Sequence, residues 1–173
     1  MSAIHPALAP LARVAKTFSK LFRTTGLVSE PDLAAALRGA VNGTGWLRRE
    51  HRVGDPARYM RHLLYVDPDD DFVITAITWL PGQQSPVHGH YVWCAYGITE
   101  GELTEETFRA PGALLETTGT EVIRAGEIAD IDLGGPLYHR VSNRTKLPVV
   151  TLHVYGVASG ALTTGINRLY GEE

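Results

Sequence analysis

Residues 85–97, SPVHGHYVWCAYG, bring together two histidines, a tryptophan and the only cysteine of the chain. In an extended strand, residues two apart project from one face about 6.5–7 Å apart. His88 and His90 therefore point the same way, and both imidazoles can reach a single ion. A bare His-x-His pair is more often two ordinary polar strand residues than a metal site. The surroundings shift that balance. Gly82 lies six residues before His88, Cys94 four after His90, and Gly101 seven after that. A third histidine, His139, sits in LYHRVSN, with Asn143 four residues beyond it.

A second stretch with chemical content is TLHVYG, in which Thr151, His153 and Tyr155 stand at i, i+2 and i+4. Strand alternation puts all three on one face, which makes a relay of hydroxyl, imidazole and phenol geometrically possible. Without further context the same alternation describes a half-buried strand. Arg61, in RYMRHLLY, is a third candidate. A lone strand arginine usually serves a surface ion pair, but its planar fork also fits a carboxylate better than a lysine does.

The elements that must position these groups are legible as patterns. Leu8, Leu11, Ala15, Phe18 and Phe22 recur at helical spacing over residues 7–23, with Arg13, Lys16, Lys20 and Arg23 mostly off that stripe. SEPDLAAALRGAVNG predicts a second helix: Ser29 and Asp32 can cap its start, Pro31 sits in its first turn and Gly43 can end it. After Trp46, short runs rich in Val, Ile, Thr and aromatics alternate with turn signals such as DPDDD, PGQQSP and LGGP. Strands are expected near 59–66, 71–80, 88–98, 102–109, 121–124, 127–132, 138–142 and 148–157. So many strands without intervening helices predict a mainly β, antiparallel sandwich or barrel with a helical layer at its N-terminal end.

Composition sets outer limits. A chain of 173 residues with 44% hydrophobic and 20% charged residues suits one compact domain with a sizeable core. A formal net charge of −3 offers no basic footprint for nucleic acid. One cysteine excludes an internal disulfide framework and fits a reducing cytoplasm. No apolar run approaches the ~18 residues of a membrane-spanning helix. The first acidic residue is Glu30, a pattern shared with organelle transit peptides, but the helical stripe favours an amphipathic helix of the mature fold.

The spacing around the histidines resembles the two conserved stretches of the cupin superfamily, barrels that bind a metal through histidines from separate strands. Cupins often carry a glutamate ligand where this chain has Cys94. The resemblance thus implies three neutral ligands, His88, His90 and His139, on a divalent ion. Such a set with open positions suits iron(II), while zinc, copper and nickel are allowed by ligand type alone. RYMRHLLY, SPVHGHYVWCAYGITEGELTEETF, LYHRVSN and TLHVYG together are similar to the cysteine dioxygenase family of thiol dioxygenases, in the right order over residues 58–157.

That resemblance implies a single cupin-type jelly-roll barrel, with a helical layer over 1–45, the barrel over 46–157 and a short tail over 158–173. It implies Fe(II) as cofactor, and O2 and a small thiol, foremost L-cysteine, as substrates, in a monomer or small homo-oligomer. Tyr155 would meet substrate and oxygen, His153 would fix its proton, and Thr151, a serine in most of the family, would orient the imidazole. Arg61 matches the arginine that pairs with the substrate carboxylate; mercaptopropionate dioxygenases usually have glutamine there. Cys94 matches the position where animal members form a thioether with the active-site tyrosine and most bacterial members have glycine. If the strand over 88–98 runs unbroken, Cys94 shares a face with both histidines and lies near the metal without binding it. A free buried cysteine remains the plain alternative. Tyr91 and Trp93 are expected in a second layer. Gly89 replaces the aspartate of the family's His-Asp-His, removing a carboxylate that could steady the ligands. His5, His51 and His62 carry no pattern. A mercaptopropionate or other small-thiol dioxygenase, a cupin that binds metal or ligand without turnover, and a zinc or nickel isomerase are the competing readings.

Overall fold

The computed structural model describes residues 9–25, 29–110, 114–129 and 136–171. Leu8, the Phe22 side chain and His5 lie outside the described residues. Among the described residues two α-helices, α1 (Ala9–Thr25) and α2 (Glu30–Val41), precede nine strands. Ser29 caps α2, its hydroxyl accepting from the Asp32 N–H, and Pro31 occupies the first turn. The strands are β1 (Met60–Val66), β2 (Val73–Trp79), β3 (His88–His90), β4 (Cys94–Glu100), β5 (Glu102–Arg109), β6 (Glu116–Arg124), β7 (Tyr138–Ser142), β8 (Val149–Tyr155) and β9 (Asn167–Leu169). They form two antiparallel sheets, ordered β1-β2-β8-β4 and β6-β5-β7-β3-β9.

The helices pack on the outside of the four-stranded sheet. Leu11, Phe18, Leu33, Leu37 and Trp46 meet Ile74, Ala76, Ala95, Leu152 and Val154 in one buried cluster. Each of these larger side chains contributes about 1.5–3 kcal/mol by leaving water. Strand alternation then turns the other residues of the same strands inward. Every residue of β2 and β8 is buried, so Val150, Leu152 and Val154 face the helices while Thr151, His153 and Tyr155 face the barrel interior. A second cluster, including Ile77, Trp79, Ile98, Leu103 and Val141, fills the space between the sheets. The helical layer is what allows β8 to carry a polar relay on one face without exposing its other face.

The expected single strand over 88–98 is two strands in different sheets. β3 pairs with β7 and β9, whereas β4 pairs with β8. The chain bends at 91–93, where Tyr91 N–H donates to Ile166 O and Trp93 O accepts from Gly156 N–H. Trp93 does enter a second layer, stacking on Phe18 with centroids 6.2 Å apart. Tyr91 does not; it is 65% exposed. The strand expected at 121–124 begins at Glu116, and that expected at 127–132 reduces to one bridge between Gly97 and Ile128, with 130–132 outside the described residues. The tail also differs from expectation. It returns as β9, pairing alongside β3.

Candidate metal centre

β3 and β7 build the site together. His88 lies directly opposite His139 in the β3–β7 register, so their side chains rise from one face a few ångströms apart. His90, two residues on, joins them by alternation. The ring centroids are 4.5 Å apart for His88–His139 and 5.1 Å for the two pairs that include His90. One nitrogen from each ring lies within 4.8 Å of the other two, and among the described residues neither a carboxylate nor Cys94 belongs to this group.

Hydrogen bonds behind the rings set which nitrogen faces inward. His88 Nδ1 donates to Pro86 O at 3.0 Å, and His139 Nδ1 donates to Glu105 Oε1 at 2.6 Å. Both Nε2 atoms therefore point at the centre, 3.2 Å apart. Burial, then the neighbouring His139 and His90, pushes the His88 pKa down to about 3, which keeps its ring neutral. The two Nε2 atoms face each other across the centre, where a shared cation would take a lone pair from each. Nitrogens at about 2.1 Å from a shared ion stand roughly 3.0–3.4 Å apart when they occupy neighbouring octahedral or tetrahedral positions. The donor set and its spacing fit a divalent metal.

This burial has a consequence without metal. The His88 pKa in the fold is depressed, as is that of fully buried His153, for which burial and then Arg61 are the leading causes. The unfolded chain therefore binds protons first as pH falls below about 6.5, and folded stability declines from there toward about pH 3. Metal-free protein is expected to lose Tm steadily between about pH 7 and about pH 5. A flat Tm over that range would show that these rings titrate normally.

His153 and Tyr155 line the same cavity, and Thr151 stands behind His153. Tyr155 Oη lies 3.0 Å from His153 Nδ1, and His153 Nε2 lies 2.9 Å from Thr151 Oγ1. Trp79 Nε1–H donates to Thr151 Oγ1 at 3.0 Å, and Thr151 donates to Ile77 O at 3.3 Å. One assignment satisfies every group: Thr151 accepts from Trp79 and His153 Nε2–H, leaving Nδ1 to accept the Tyr155 proton. Tyr96 stacks on His153 at 4.8 Å and 7°, holding the ring plane. Burial, then Cys94, raises the Tyr155 pKa, so the phenol stays protonated. Cys94 is the direct cross-strand partner of Tyr155 in the β4–β8 register.

Arg61 reaches in from β1. Its Nη1 donates to Leu162 O at 3.1 Å, its Cζ lies 5.6 Å from the Tyr155 ring centroid, and its Nε is buried without a hydrogen-bond partner. The structure thus gathers all eight candidates, Arg61, His88, His90, Cys94, His139, Thr151, His153 and Tyr155, around one chamber or in contact with its lining.

The family model for cysteine dioxygenase type I matches residues 7–158, most of the chain. The chain belongs to the cysteine dioxygenase type I family. The family and the three-histidine cluster together describe a thiol-dioxygenase-like metal enzyme of the cupin superfamily. Solved structures with similar folds include TT1209 from Thermus thermophilus, with a TM-score of 0.51 and 19% identity over 63% of this chain and 92% of that one. An uncharacterized conserved protein with a double-stranded β-helix domain from Klebsiella pneumoniae subsp. pneumoniae gives a TM-score of 0.52 at 19% identity, covering 71% and 93%. Hydroquinone 1,2-dioxygenase PnpCD gives 0.51 at 12% identity, covering 70% and 76%. At these identities the likeness is one of fold.

Against the family's pattern, Gly89 has a structural reason. A Cβ there would lie 2.6 Å from Leu137 O and 2.7 Å from the Arg168 guanidinium, which crosses this position. The carboxylate lost at 89 has a counterpart at Glu105, which is buried against His139 and which the motif reading missed. Its signal was alternation: Leu103 is core, so Glu105 on the same strand face must be buried and paired. His51 and His62 lie outside the chamber; His62 Nε2 is bonded to Val53 O.

Proposed function

We propose that residues 1–173 act as one cupin unit, an iron(II)-dependent thiol dioxygenase that converts L-cysteine to cysteine sulfinate in a reducing, cytoplasmic setting. What carries this reading is the three-imidazole cluster, which among the described residues has no acidic ligand and shares a chamber with Arg61, whose buried Nε–H has no partner among those residues. Iron(II) held by His88, His90 and His139 would supply the redox centre at which thiolate and dioxygen react, both oxygen atoms ending on sulfur.

The protein's own groups position the substrate. Arg61 anchors its carboxylate, since an ionised carboxylate accepts what the guanidinium offers and pre-set orientation removes part of the entropic barrier. Tyr155 keeps its phenolic proton on the His153 side and turns its oxygen toward the chamber. Thr151, fixed by Trp79, holds His153 in one tautomer. Cys94 completes the set by forming a thioether to the Tyr155 ring carbon beside the hydroxyl. That C–S bond replaces one S–H and one C–H, with dioxygen accepting the two hydrogens. Intact mass under denaturing, reducing conditions is expected to show a species lighter by two hydrogens after aerobic turnover, absent from Cys94→Ser. An unchanged mass in the wild-type chain would make Cys94 a plain buried thiol.

Aerobic incubation of iron-loaded protein with L-cysteine, 3-mercaptopropionate and cysteamine tests the reaction itself. Oxygen uptake with a sulfinate product, fastest with L-cysteine, is expected. Preference for 3-mercaptopropionate would reassign the substrate, and no uptake with any thiol would leave a metal-binding cupin without thiol oxidation.

A further inference from the structure

The chamber that holds the metal cluster continues outward into a second one, formed between the start of β1 and the tail over Leu162–Leu169. Three residues line both: Tyr59, Arg61 and Asn167. They form the throat through which a substrate's distal end passes. Tyr59 packs its ring against Trp79, centroids 4.5 Å apart, and Arg61 is tied to Leu162 O through Nη1. Asn167 is the third. Among the described residues its carboxamide has no hydrogen-bond partner.

Its direction follows from register. β9 pairs antiparallel with β3, with Asn167 opposite His90, Arg168 opposite Gly89 and Leu169 opposite His88. Directly opposed residues project from one face. Asn167 and Leu169 therefore rise on the side of the metal ligands, while Arg168 turns to the other side, where it packs over the Tyr138 ring at 4.4 Å and bonds its hydroxyl. Gly89 gives that guanidinium room, and the tail strand is held in this register by Tyr91 N–H to Ile166 O and Tyr170 N–H to Val87 O.

From this geometry, and resting on the proposed thiol dioxygenase reading, we infer that Asn167 is a second substrate-binding residue, its carboxamide N–H donating to the carboxylate that Arg61 grips from across the throat. An ionised carboxylate offers about four acceptor sites. Arg61 has one of its two Nη1 donors committed to Leu162 O, and a carboxylate withdrawn from water needs its remaining sites filled. Asn167 supplies a neutral donor beside the guanidinium, selecting thiols with a carboxylate at the end remote from sulfur.

The test compares Asn167→Ala, Asn167→Asp and Asn167→Gln with the wild-type chain, each iron-loaded and confirmed folded by circular dichroism. The first readout is selectivity, kcat/KM for 3-mercaptopropionate divided by that for cysteamine, which has no carboxylate. Loss of one hydrogen bond to a charged group is expected to lower this ratio about 10-fold or more in Asn167→Ala, mainly through KM. Asn167→Asp should lower it further by repulsion, and Asn167→Gln should restore part of it. The second readout is anaerobic calorimetric binding of 3-mercaptopropionate, which should weaken in the same order. A ratio and affinity that stay at wild-type values in both Asn167→Ala and Asn167→Asp would overturn the inference while leaving the thiol dioxygenase reading intact. A wild-type protein that neither binds nor oxidises any thiol would overturn both.

Discussion

Alanine at His139 is expected to reduce metal affinity by more than about 100-fold and to remove thiol oxidation with it. The basis for the figure is comparative: loss of a partner that merely orients a ligand already costs roughly 10–100-fold, and His139 is itself one of three ligands. Glu105→Ala isolates the orienting part. It leaves the His139 ring in place but removes the carboxylate that holds Nδ1–H at 2.6 Å. A roughly 10–100-fold weaker metal affinity is expected, with Glu105→Gln recovering much of it because a carboxamide oxygen still accepts that proton. Competition with a colourimetric chelator measures all three variants on one scale, and thermal melts separate weak binding from unfolding. An alanine variant at 139 that retains stoichiometric metal through dialysis would mean the cluster is not the binding site.

The second large effect is at Arg61. Arg61→Gln is expected to lower kcat/KM for L-cysteine by about 100-fold, since a charge-assisted hydrogen bond contributes about 1.5–3 kcal/mol. Cysteamine should lose far less. The glutamine keeps a donor but is uncharged and two bonds shorter, so the loss reports charge, fork geometry and reach together, and cysteamine serves as the control for the space left behind. Oxygen-uptake kinetics over a concentration series of both thiols measures the effect. Equal losses for the two would place Arg61 in the architecture of the throat, not in carboxylate recognition.

Much of the site was legible in sequence because its groups sit at strand periodicity. His88 with His90, and Thr151 with His153 and Tyr155, need only alternation within one strand. Their meeting with His139 is a matter of register between β3 and β7, which no local pattern encodes. What escaped had long-range causes. The break between β3 and β4 is invisible as a turn signal, because YVW reads as strand; closing the barrel requires the chain to change sheets there. Cys94 still reaches Tyr155, through pairing with β8 and not through the continuous strand that was expected. β9 is three residues long, too short to announce itself, and gains its order from pairing with β3. Gly89 looked like a missing carboxylate; it is the space that Arg168 requires.

X-ray absorption at the iron edge of the reconstituted, anaerobic protein, before and after addition of L-cysteine, reads out whether three imidazoles hold an iron that is open to the thiol. Three imidazole nitrogens at about 2.1 Å with solvent oxygens are expected, and a sulfur at about 2.3 Å appearing only with substrate. A sulfur in the resting protein would make Cys94 a ligand. A coordination shell that L-cysteine leaves unaltered would contradict an open ferrous site built for thiols.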